Sequence, residues 1–209
     1  PSGLFGQTAD PAALNQIDIL PSVNIIYKML ANEKTAVNTR ISASRSLARP
    51  SIRELSPFWA FDYSLSTYVI GNPKLDITKI GNLDFRVESY FKSGSNLSIS
   101  LFYKRFANHI ELVNQGIISW NNARESKVYG VELEGKKVLF SNLELSANFT
   151  YVYSATTVTL KTLGAMSAQT VTRPMFGQAP YIINALLAYD LEQWGISTAL
   201  SYNVQGPKL

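Results

Sequence analysis

The chain has 209 residues, of which 46% are hydrophobic and 16% charged, with a mean hydropathy of +0.01. That length serves one domain or part of a larger one, and no uncharged apolar run reaches the ~18 residues of a transmembrane helix. The net charge of +4 is scattered among acids without the clustered Lys/Arg of a nucleic-acid footprint, and the lack of cysteine excludes disulfides and thiolate metal sites.

Residues 1–19, beginning Pro-Ser-Gly, read as irregular loop without the charged and apolar regions of a signal peptide; the expectation is that one was removed or that this is an internal fragment. A first strand is predicted over 22–30, with Val23, Ile25, Tyr27 and Met29 on one face. A tight turn at 31–34 leads to a second strand, 35–46, and then to a long connection over 47–77 with a helical turn near 51–55. The third strand, 78–91, sets Leu83, Phe85, Val87 and Phe91 against Asn82, Asp84, Arg86, Glu88 and Tyr90. A fourth strand covers 97–106 and a second long connection 107–126, with local pairing of 110–113 with 117–120. Strands five and six span 127–139 and 143–153. A third long connection covers 154–179, before strands seven (181–190) and eight (196–204). The hairpin turns take roughly 3 to 5 residues, an ordinary length, whereas the connections between hairpins take roughly 20 to 30, and loops of that length are usually functional.

Alternation alone leaves a soluble antiparallel sandwich open, because its strands also have one apolar and one polar face. Three features favour an all-β transmembrane barrel of antiparallel up-and-down strands. Most strands are about 10 to 13 residues, longer than soluble strands and near the length that crosses a tilted bilayer. Aromatics gather toward the ends of the apolar faces: Tyr27, Tyr90, Phe91, Tyr189 and Trp194 by the short turns, and Tyr103, Phe106, Tyr151, Tyr153 and Tyr202 by the long loops. The polar faces hold small and mixed-charge residues suited to a wet lumen.

Two stretches go beyond patterning. One runs from Ser42-Ala43-Ser44-Arg45-Ser46-Leu47-Ala48-Arg49-Pro50 on to Pro57; the other runs from Gly71-Asn72-Pro73-Lys74-Leu75 on to Asp84. Together with Asn122-Ala123 and Val128 to Glu134, they resemble the late barrel of TonB-dependent outer-membrane receptors, over about residues 20–205. The resemblance implies about eight strands of a larger barrel of about 22, with the plug domain absent from this chain. It implies import of a scarce ligand in the bacterial outer membrane of a Gram-negative cell. The partners implied are the plug of the same full-length protein, TonB, outer-membrane lipid and a surface lipoprotein that captures ligand; the ligand itself, a small molecule or oligosaccharide, is not read from these residues. A passive porin or small closed barrel, and a soluble binding module, stay open as alternatives.

The faces then acquire expected roles. Leu83, Phe85, Val87, Ile99, Leu101, Val131, Leu133, Phe149 and Leu187 are expected to meet lipid. Arg40, Asp84, Arg86, Glu88, Lys104, Glu132, Glu134 and Glu144, with Lys136, are expected to line the lumen as cross-strand charge pairs. Phe58, Trp59, Phe61, Tyr63 and Tyr68 crowd one long loop, and with Trp120 they form a candidate ligand-facing set, suited to stacking on sugars or planar chelators. The sole histidine, His109, has only Glu111 near it and reads as a solvated loop residue. Gly130 and Gly135 read as strand-curving positions. No nucleophile elbow, phosphate loop or metal motif is present, so neither enzyme activity nor a cofactor is expected.

Overall fold

A computed structural model describes residues 16–114, 116–160 and 168–208, with residue 192 described by its backbone alone. Among the described residues eleven strands form one sheet. Its continuous path runs β1 (Ser22–Ala31), β2 (Thr35–Ala48), β5 (Thr78–Phe91), β6 (Asn96–Asn114), β7 (Ile118–Phe140), β8 (Leu143–Leu160), β10 (Tyr181–Leu191) and β11 (Ile196–Gln205). Each pair along this path is antiparallel and sequential, an up-and-down meander. Three short strands lie off it: β3 (Trp59–Asp62), β4 (Thr67–Ile70) and β9 (Gln169–Arg173).

The four short turns share one end of the sheet. Lys92 N donates to Lys34 O (2.9 Å) and Asp190 N to Asn142 O (2.8 Å), tying neighbouring turns together. Asn32 Oδ1 caps its own turn by accepting from the amides of Lys34 and Thr35 (2.9 and 2.7 Å). Gly94 and Gly195 occupy left-handed conformations (φ 80° and 63°) that close two of the others.

At the opposite end the structure departs from the expected loops. Residues 107–114 and 118–126 are strand and not loop. There β6 and β7 continue as one paired ribbon, from Ala107 opposite Glu125 to Asn114 opposite Ile118. The reason is packing. Val113, Ala123 and Val158 form a small buried cluster with Leu160 against it, which repays continued pairing. Within residues 154–179, β8 continues to Leu160 and β9 pairs with it, while residues 161–167 lie outside the described residues. Residues 47–77 contain α1 (Ile52–Leu55) and the β3–β4 hairpin, which touches β7 through one parallel bridge, Ile70 to Ser119.

No second layer covers the sheet among the described residues. Most of the buried apolar side chains (Val69, Leu75, Ile77, Leu112, Val113, Ala123, Val158, Met175 and Ala179) lie at the long-connection end. Along the rest of the sheet large apolar residues stand exposed: Leu83 at 52%, Leu101 at 50% and Leu200 at 70%. A soluble sandwich buries that face against a second sheet; here it is left bare.

Candidate ligand-facing surface

The register sorts the charges and the apolar residues onto opposite faces. On one face Phe85, Leu101, Val131 and Tyr151 form a row, and Val87, Ile99, Leu133, Phe149 and Ile183 form the next. Leu83 and Leu187 share that face, opposite Tyr103 and Leu145. Thus all nine residues expected on the apolar side lie on one surface.

The other face carries the expected polar set. Arg40, Arg86, Ser100, Glu132 and Thr150 form one row, and Glu88, Ser98, Glu134 and Asn148 another. Arg86 is the hub. It donates to Glu88 Oε1 (2.7 Å), Ser100 Oγ (2.9 Å) and Glu134 Oε2 (2.5 Å), so its fork ties together side chains of three strands, β5, β6 and β7. Ser98 Oγ adds a bond to Glu134 (3.1 Å), and Lys136 Nζ sits 2.6 Å from Glu144. Asp84 accepts from Ser42 Oγ (3.5 Å), and Lys104 lies in register with Asn82 and Val128. Phe106, expected at the end of an apolar face, belongs to this polar face by register, opposite Ile80; Tyr90, opposite Asn96, lies on the polar face where the alternation of its strand sets it and not in the apolar girdle. Gly130 does more than curve its strand. A Cβ there would stand 2.6 Å from Phe102 Cζ and 2.2 Å from Tyr151 O, so the missing side chain is what lets the Phe102 ring lie across β7.

At the long-connection end, Gly71 and Asn72 each have a structural task. A Cβ on Gly71 would meet three carbonyls of α1 and its C-cap, Ser56 O at 2.2 Å, Arg53 O at 2.6 Å and Glu54 O at 2.8 Å. Asn72 donates through Nδ2 to Trp120 O (3.1 Å) and Asn121 Oδ1 (3.3 Å), and its Oδ1 accepts from Lys74 N (3.0 Å). Leu75 and Ile77 then bury their side chains. Upstream, Ser51 and Glu54 form a reciprocal capping box that starts α1 straight after Pro50. Arg53 reaches Asp62 (2.9 Å), binding helix to hairpin.

The aromatic set divides. Phe58, Trp59, Phe61, Tyr63 and Tyr68 are all exposed on or beside the β3–β4 hairpin. Phe61 makes edge contacts with Tyr63 and Tyr68, with ring centres 5.1 and 5.2 Å away. Asp62 closes the hairpin, accepting from Ser64 Oγ and from the amides of Ser64 and Leu65; those bonds, led by the hydroxyl, hold its carboxyl below the usual range. Trp120 is separate: it lies half-buried within β7, its indole Nε1 shielded.

His109 is likewise not a solvated loop residue. It sits within β6, its side chain 19% exposed, with its ring 5.2 Å from that of Phe106. Its Nδ1 lies 3.2 Å from Ser126 Oγ and 3.5 Å from Glu111 Oε1. Burial pushes the imidazole down to about 4, with the Arg173 charge adding to it. Beside it Glu111, 2% exposed, accepts from Arg173 Nη2 (2.8 Å) and Phe176 N (3.3 Å). Burial raises the Glu111 carboxyl and Arg173 opposes that rise. This network escaped the sequence reading because Arg173 lies in a connection far along the chain; a lone acid beside a histidine was its only signal. Among the described residues no cluster of His, Asp and Glu has the makings of a metal site.

The family model for the TonB-dependent receptor-like β-barrel matches residues 5–208. The chain belongs to that family. As a TonB-dependent receptor barrel it resides in the bacterial outer membrane and crosses it with strands. Among solved structures it is similar to the siderophore receptor PirA from Pseudomonas aeruginosa, at 20% identity and a TM-score of 0.50, covering 90% of this chain and 36% of that one. It is also similar to PirA from Acinetobacter baumannii, at 14% identity and a TM-score of 0.53, covering 89% of this chain and 33% of that one. The chain therefore spans about a third of these receptors' length, and at these identities the likeness is one of fold. No curated protein matches the chain.

Proposed function

We propose that this chain forms part of the wall and outer surface of a receptor that binds a scarce ligand outside the cell and imports it by TonB-coupled movement of a plug. The observation that carries the reading is the single-layer sheet with a bare apolar face and an ion-paired polar face, in a chain of this family. The apolar rows face lipid. The polar rows, held rigid by Arg86 and its partners, line a wet lumen against which a plug packs. The short turns lie on the periplasmic side and the β3–β4 hairpin faces outward. Its aromatic rings form the ligand-facing surface, giving rigid stacking area at small entropic cost. A ferric siderophore is the first ligand to test, because the fold neighbours are siderophore receptors. The chemistry is binding and gated passage without covalent steps; TonB, the plug and a ligand-delivering surface lipoprotein are the partners of this reading.

The test uses the full-length receptor in cells with and without TonB. Uptake of a ferric siderophore is expected to require TonB, and Trp59→Ala with Tyr68→Ala is expected to weaken binding by about ten-fold or more, as for central aromatic anchors. Uptake that persists without TonB would point to a passive pore. Unchanged binding by the double variant would reduce the hairpin to a packing element.

A further inference from the structure

Across the polar face the charges end at β8. The strands β5, β6 and β7 put Asp84, Arg86, Glu88, Lys104, Glu132 and Glu134 on that face. β10 and β11 put no charge there except Asp190, which sits beside their turn and pairs with Ser197. The row that holds Glu134 continues instead as Asn148, Asn184 and Asn203, in register on three strands. Asn184 donates through Nδ2 to Asn148 Oδ1 (2.6 Å), and its own Oδ1 accepts from Asn203 Nδ2. The next rows toward the short turns are Ser146, Leu186 and Ser201, and then Glu144, Ala188 and Ala199.

Two depressions follow one another down this strip. The first, about 420 Å³, is lined by Asn148, Asn184, Asn203, Ser146 and Ser201. The second, about 370 Å³, lies at the short turns over Ala188, Ala199, Ser197 and Asp190, whose small side chains leave room. From Asn184 to Asp190 the strip runs roughly 20 Å at the rise of a strand. The two parts of the face have different needs. Arg40 Nε is buried without a hydrogen-bond partner, and Asp84, Lys104 and Glu132 have no ion-pair partner among the described residues. Charges short of partners in a covered lumen need them from whatever covers it. The amides of the asparagine row are bonded to one another, and the donors and acceptors left over are ones that water satisfies.

We propose that the inner surface of β8, β10 and β11 is one wall of a water-filled passage lane, in which Asn148, Asn184 and Asn203 take the hydroxyl and amide groups of a solute in transit. It rests on reading the polar face as a lumen with a plug against it. Given that reading, the plug seats where Arg40, Asp84, Lys104 and Glu132 call for counter-charges, and it stands off where nothing does. Charge complementarity thus assigns the plug to β2 through β7 and water to the strip. Neutral hydrogen bonds are about half as strong as charge-assisted ones, so the asparagine row holds a passing solute loosely and favours neither sign of charge. A passage needs that property: groups that bind well enough to admit a solute and weakly enough to release it.

The experiment uses the full-length, otherwise cysteine-free receptor, plug included, in outer-membrane fragments that open both ends of the lumen to reagent. The probes are three methanethiosulfonates of similar size, carrying hydroxyethyl, trimethylammonioethyl and sulfonatoethyl groups. Ser146→Cys and Asn184→Cys report the strip; Ser42→Cys and Ser100→Cys report the charged part. All four positions are half-buried in this chain, so a difference between them comes from what covers the face. The hydroxyethyl reagent is expected to modify the two strip cysteines at least about ten-fold faster than the other two, since exposure governs thiol modification. At the strip, the cationic and anionic reagents, each scaled to its rate with a free thiol, are expected to differ by less than about ten-fold. Equal rates at all four positions, faster modification of Ser42→Cys and Ser100→Cys, or modification of none would overturn the lane. A larger preference for one charge at the strip would overturn its neutrality, and the passage with it. A bilayer-confined maleimide separates the two levels. Labelling of Ile99→Cys but not Asn184→Cys upholds the faces, so that a failed rate difference sinks the lane alone; the reverse labelling overturns the face assignment as well.

Discussion

Glu111 holds a carboxylate where water hardly reaches it, and His109 beside it holds an imidazole that stays neutral at physiological pH. The pH dependence follows from their directions. The His109 value drops from 6.5 to about 4 on folding. Its contribution to stability is therefore whole above 6.5 and is lost as pH falls toward 4, because the unfolded chain takes up a proton that the folded chain refuses. Glu111, raised on folding, acts oppositely: its contribution is present below its ordinary carboxyl range and fades as pH rises through the raised value. An NMR titration of the His109 ring, assigned by comparison with His109→Asn, should show a midpoint near 4; a midpoint near 6.5 would mean a solvated ring. Local opening of the β6–β7 extension, read by hydrogen exchange, should lose its His109-dependent acid sensitivity in the same variant.

At the scale of elements, close backbone approach governs the outer end. Gly71 lets the chain pass under the α1 carbonyls, and Asn72 then ties the strand entry to β7. Gly71→Ala drives a Cβ into three backbone oxygens that no rotamer can move aside. The expected cost is about 1 to 3 kcal/mol, seen as faster proteolysis and hydrogen exchange over residues 52–71. Gly81→Ala, where a Cβ meets open space, serves as the control and is expected to change exchange there little. These contacts give Gly71 and Asn72 a physical meaning: they are residues that a tight helix-to-strand junction requires.

Across the whole molecule, stability depends on which medium meets each face. A sheet without a second layer keeps a row such as Val87, Ile99, Leu133 and Phe149 only if lipid replaces the missing sheet. Ile99→Arg is expected to destabilise the full-length receptor by about 2 to 4 kcal/mol near mid-bilayer. Ser42→Arg, facing Asp84 on the polar side, is expected to cost much less. Unfolding in urea from lipid vesicles measures both, and equal costs would argue against the assignment of the faces.

Strand positions and facial parity were legible from residue order, since side chains alternate along any extended chain whatever its neighbours. The third strand, Thr78 to Phe91, has in the structure the bounds read from the sequence. The β6–β7 extension was not legible. Asn108 adopts a left-handed backbone (φ 56°) within the ribbon, after which His109 shares a side with Phe106, and polar Asn121 and Asn122 resemble loop until their partners are seen. The Arg173 to Glu111 pair and the row of Asn148, Asn184 and Asn203 were equally hidden, because each joins residues whose proximity depends on register between strands. The sequence by itself determined two faces per strand, a meander of hairpins and the family. Only the tertiary structure decided which side chains became neighbours, because strand-to-strand register and the packing of the outer extension arise from contacts far apart along the chain.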